Sequence, residues 1–72
     1  MTILADDIRH LCHDLSIMLG AKALSGPDLL RAIGLVGRVR ANPAHVPAPR
    51  LMRHMQRVVE GWKADAFKEV GE

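Results

Sequence analysis

LSGPDLLRAIGLVGRVRANPAHVPAP, residues 24–49, carries the punctuation from which the fold is read. Ser25-Gly26-Pro27-Asp28 is a helix start. Ser25 stands as N-cap, Pro27 is tolerated in the first turn where its missing N–H is not needed, and Asp28 is placed to complete a capping box and favour the helix dipole. At the other end, Asn42-Pro43-Ala44-His45-Val46-Pro47-Ala48-Pro49 cannot be helical throughout. Its prolines remove backbone donors and push the residues before them towards extended conformations. A helix over about 26–41 followed by a stiff connector over 42–49 is therefore expected. That connector is too long for the tight turn of a helix-turn-helix, about 3–4 residues.

On a helical wheel Leu29, Leu30, Ala32, Ile33, Leu35, Val36 and Val39 cover well over half of this second helix, leaving mainly Arg31 and Arg38 on its polar side. A helix that apolar calls for more than one neighbour. Gly34 and Gly37 each cost about 1 kcal/mol relative to alanine inside a helix. Their expected use is to let another backbone come close, with Leu35 and Val39 beside them at a packing or dimer seam.

Working outward, Leu4, Ile8, Leu11, Leu15 and Met18 recur at steps of four and three, with Cys12 and Leu19 on the same face, and predict a first helix over about 4–23. Ile17 projects among the polar residues on its other side, which hints at a second contact surface. Beyond the connector, Leu51, Met55, Val58, Val59, Trp62 and Ala66 share one face of a third helix over about 49–68. Met52 and Val59 fall at the edge of that stripe and, with Val70, are expected to form an exposed apolar rim. No strand signal, repeat or low-complexity segment interrupts this pattern. The fold class is all-α: one domain, either a closed three-helix bundle or a helical hairpin plus a third helix, completed by homodimerisation.

Homodimerisation enters because 72 residues are few. A chain this short buries only about 60% of its unfolded surface, and small domains usually add disulfides, metal or self-association. An internal disulfide is excluded, since Cys12 is the one cysteine. With no basic segment leading into an apolar run at the start and no long uncharged apolar stretch, neither secretion nor membrane spanning is expected, and the expected compartment is cytoplasmic. Only Trp62 and Phe67 are aromatic, too few for a single-strand stacking platform or an aromatic cage.

The charge is unevenly spread. Net charge is +2, yet residues 29–57 contain Arg31, Arg38, Arg40, Arg50, Arg53 and Arg57 and no acid, while the segments on either side are each net −2. Arg50, Arg53 and Arg57 share a face of the third helix at spacings of three and four, opposite its apolar side. Guanidinium forks suit carboxylates and phosphates. This stripe is a candidate docking surface for an acidic protein patch; an ordinary solvated face is the bland alternative. Nucleic acid is the competing partner, disfavoured by the small net charge, the acids on the first and third helices and the scarcity of aromatics.

Catalytic and metal-binding patterns are weak. Asp6, His10, His13 and Asp14 share a helical face that could meet zinc or nickel, but a tetrahedral site needs ligands from more than one element, and His45 and His54 lie elsewhere. A solvated face with Asp6–His10 and His10–Asp14 pairs is preferred, and no metal or cofactor is expected. Cys12 falls on the apolar side, turned away from its neighbouring histidines, and is read as packing rather than nucleophile. No glycine spacing fits a phosphate loop and neither Ser16 nor Ser25 has a nucleophile context, so no enzyme activity is expected. Met52 and Met55 beside Trp62 are read as core before binding groove.

In length, lack of a pocket and surplus of apolar surface, the chain resembles the loose class of small helical adaptor and inhibitor proteins, many of them encoded by phages and other mobile elements. The resemblance implies occlusion: a helical surface docks on a larger protein and modulates it, with arginine anchors at the rim and aliphatic residues in the centre. Arg31, Arg38, Arg50, Arg53 and Arg57, with Met52 and Val59, are the candidate partner-binding residues. A DNA- or RNA-binding accessory protein and a structural subunit of a larger assembly are the alternatives.

Overall fold

Leu15 and Met55, both 0% exposed, mark where the helices meet. The computed structural model describes residues 5–71, with side chains through residue 67. Three helices follow one another: α1 (Ala5–Gly20), α2 (Gly26–Ala41) and α3 (Pro49–Gly71). There is no strand among the described residues. The all-α bundle thus stands as expected, with α2 at its expected bounds. Leu4 and the side chain of Val70 lie outside the described residues.

α1 stops earlier than the expected residue 23. Lys22 adopts a left-handed backbone with φ of 55°. The Lys22 N–H donates to the Leu19 carbonyl at 3.2 Å and the Ala23 N–H to the Met18 carbonyl at 2.9 Å. This is a Schellman ending, in which the orphan carbonyls of the last turn are satisfied by a chain that reverses through a left-handed residue. Lysine occupies the position that glycine usually takes.

The start of α2 also differs. Ser25 is extended and stands at the N-cap, but its side chain makes no capping hydrogen bond. Its carbonyl receives the Leu29 N–H at 3.4 Å, and Pro27 in the first turn leaves one fewer orphan donor. Asp28 does not close a capping box, because its carboxylate is turned towards Arg31 and α3. In the connector, Asn42 accepts the Ala44 N–H on its side-chain oxygen and the His45 N–H on its carbonyl, and Pro47 is buried. The Ala48 carbonyl then accepts the Met52 N–H at 3.0 Å, and Pro49 opens α3.

The core is aliphatic and methionine-rich. Ile8, Leu11, Leu15 and Met18 of α1 meet Ala32, Leu35 and Val36 of α2 and Met52, Met55 and Val59 of α3, with Leu24 from the α1–α2 turn. Cys12, Val39, Leu51, Val58 and Trp62 pack around this cluster partly buried, whereas Ala66 is exposed. Met52 and Val59 are 3% and 4% exposed, so they do not form the expected rim. The α3 stripe is wider than the wheel suggested because α3 packs on α1, which draws its edge positions into the common core.

α1 is the central element, packed against both α2 and α3, while α2 and α3 meet far less closely. α3, with 23 residues, is about 34 Å long against about 24 Å for its neighbours. Its last turns therefore run past the bundle, and Phe67 is exposed there. No helix among the described residues is long and apolar enough to cross a membrane.

Candidate docking face

The looser meeting of α2 and α3 leaves a furrow between them. Leu30, Gly34 and Leu35 of α2 line it with Leu51 of α3, and so do Arg31 and Arg38. The wheel of α2 explains the composition. Ala32, Leu35 and Val36 point into the core, so Leu30 and Gly34 are turned outward, and the edge holding Arg31 and Arg38 faces α3. Leu30 is 72% exposed and Ile33 52%. Both were expected to need a neighbour, and among the described residues both stay more than half exposed.

Gly34 and Gly37 do not lie at a close helix crossing within the chain. A Cβ built at either meets no atom within 4 Å. They leave a shallow, side-chain-free strip on the outer face of α2. Ile17 on α1 is likewise exposed, as its place among polar residues implied. Leu35, by contrast, is buried, and Val39 packs partly buried against the core.

A polar tie joins the two helices. His54 Nε2 lies 2.7 Å from Asp28 Oδ1, and the Arg31 guanidinium donates to the same oxygen at 3.0 Å. The hydrogen bond from His54, helped by Arg31, holds the Asp28 carboxyl below its ordinary pKa. On the α3 side of this tie, Arg50, Arg53, His54 and Arg57 enclose a second open depression. The Arg stripe read from sequence is thus brought beside the α2 furrow through His54, a contact that spacing along one helix could not disclose.

Arg31 is the one arginine of this face paired with a carboxylate among the described residues. No carboxylate among them lies within ion-pair distance of Arg38, Arg50, Arg53 or Arg57. The acids gather elsewhere. Asp7, Asp14 and Glu60 line a furrow between α1 and α3, where Lys63 donates to Asp14 at 3.0 Å. Basic and acidic furrows therefore lie on different sides of α3.

The remaining sequence candidates do not assemble. The expected Asp6–His10 and His10–Asp14 pairs are replaced by Arg9 approaching Asp6 at 3.8 Å and by Lys63 on Asp14. Among the described residues, no three His, Cys, Asp or Glu side chains converge as metal ligands. Cys12 is half-buried, and that burial pushes its thiol pKa up, partly offset by the charge of Arg40. This favours the protonated, weakly nucleophilic form. The open depressions on the basic face hold about 270 and 350 Å³, near the foot of the range for small-molecule pockets and unenclosed. No protein-family model, curated protein or solved structure matches this chain.

Proposed function

We propose that this chain is a non-catalytic, helical protein-binding module that docks on a larger protein and modulates it, by occlusion, through the face formed by α2 and α3. The observation that carries this reading is the juxtaposition of exposed Leu30 and half-buried Leu51 with arginines that have no carboxylate partner. Aliphatic side chains at the centre and guanidinium groups at the rim are the composition of a protein-binding patch. Nucleic acid recognition needs the arginines but gains nothing from an exposed leucine on the floor. Met52 and Val59 contribute to this face only indirectly, by packing α3 in place.

The homodimer expected from chain length belongs to the same reading. Ile17 on α1 and Ile33 on α2, each about half exposed and outside the furrow, are the side chains a second copy would cover. Inhibition of a cytoplasmic partner by a module encoded on a phage or other mobile element is the setting this reading adopts.

The test is affinity capture of the full chain from host lysate, with and without nuclease. One stoichiometric protein that survives nuclease is the expected result. Captured material that disappears with nuclease would instead make the arginine face a nucleic-acid surface and overturn the reading.

A further inference from the structure

Resting on that protein-binding reading, we infer that the α2–α3 furrow receives an acidic amphipathic helix of the partner, its apolar side on Leu30, Gly34 and Leu51 and its carboxylates on Arg38, Arg53 and Arg57. Helix-in-groove recognition needs an apolar trough bounded by two elements. α2 and α3 supply this, because both pack on α1 and only lightly on each other. The absence of a side chain at Gly34, where a Cβ would meet nothing within 4 Å, keeps the trough shallow enough for a helical backbone to come close.

The charge on its walls selects the occupant. Arg38 stands on the α2 wall and Arg50, Arg53 and Arg57 lie on α3 beyond His54, while Asp28, the acid between the two helices, is already engaged by His54 and Arg31. Every charge left to meet a ligand along the furrow among the described residues is therefore positive. Leu30 and Arg38 are eight positions apart on α2, about 12 Å, which matches two turns of a bound helix. A matching ligand carries apolar residues at i, i+3, i+4 and i+7 with Glu or Asp flanking them on both sides.

The probe is a synthetic helical peptide of about five turns, with leucine at those positions and glutamate around them. It is titrated into the isotope-labelled full chain and followed by amide NMR. Three further ligands are run beside it: the same peptide with every glutamate replaced by lysine, the same peptide with every leucine replaced by glutamine, and a duplex DNA. The acidic amphipathic peptide is expected to shift the amides of Leu30, Gly34 and Leu51, and both altered peptides to bind at least about tenfold more weakly. Arg53→Glu with Arg57→Glu, both exposed, should weaken the acidic peptide at least about tenfold with unchanged helicity by circular dichroism. The proposal is overturned if the acidic peptide leaves those amides unmoved, if the lysine peptide binds equally well, or if DNA alone shifts them in a steeply salt-dependent way. A protein captured from lysate that binds the double-Glu variant as tightly as the native chain overturns the furrow assignment while leaving the protein-binding reading standing.

Discussion

Leucine-to-alanine substitution at two positions of opposite burial tests how this small core is held together. Leu15 is fully buried among residues of the other helices, whereas Leu30 is 72% exposed on α2. Truncating Leu15 removes the transfer free energy of its buried methyl and methylene groups and leaves a cavity that well-packed helices only partly close, about 3–4 kcal/mol in all. A domain of this length has about 4–11 kcal/mol of total stability at the usual value per residue. Leu15→Ala therefore removes between about a third and nearly all of it. In a urea titration with a slope of about 1 kcal/mol/M, the midpoint should fall by about 3 M. Leu30→Ala, chemically the same change, should stay within about 0.5 kcal/mol of the native chain. Both are measured by far-ultraviolet circular dichroism and Trp62 fluorescence, at several protein concentrations. A loss below about 1 kcal/mol for Leu15→Ala would refute the packing described above. An equally large, concentration-dependent loss for Leu30→Ala would show that a second copy, rather than solvent, covers α2.

Two further outcomes follow from the helix ends. Lys22 is held at φ of 55° at the Schellman ending of α1, where a side chain is strained, so Lys22→Gly should raise stability by about 0.5–1 kcal/mol in urea denaturation; a loss would show that the lysine side chain supports the turn. Asp28 has a lowered pKa in the folded state, chiefly through the hydrogen bond from His54. The unfolded chain therefore binds the proton more readily, and the stabilisation is present above the ordinary aspartate pKa of about 3.9 and lost as pH falls through the lower folded value. Asp28→Asn should flatten that acid limb of the stability–pH curve, and an unchanged limb would rule out the tie between α2 and α3.

Much of the fold was legible because helix punctuation is local chemistry. Pro43, Pro47 and Pro49 cannot all lie within one continuous helix, so the connector and the bounds of α2 could be read directly. The stripe Ile8, Leu11, Leu15, Met18 could be read for the same kind of reason, since the 3.6-residue period places those residues on one face in any helix. The end of α1 was less legible: a lysine at the left-handed position gives no glycine signal, and the backbone reversal is decided by the bonds from Lys22 and Ala23.

The candidate face was half legible. Spacing placed Arg50, Arg53 and Arg57 together on α3, and the apolar breadth of α2 disclosed that Leu30 and Ile33 exceed what the core can cover. Periodicity assigns a face but not its neighbour, which is why Met52 and Val59 seemed a rim and are core, and why Gly34 and Gly37, read as a crossing, meet no other helix within the described residues of the chain. The sequence by itself determined three helices, their connector and where positive charge concentrates, because backbone sterics and helical period act over a few residues. Only the tertiary structure decided that α1 is the central helix, that His54 reaches Asp28 across 26 positions of chain, and that Arg31 and Arg38 border an apolar furrow. Those outcomes depend on how three helices divide a limited apolar surface among themselves, a packing balance that no single helix contains.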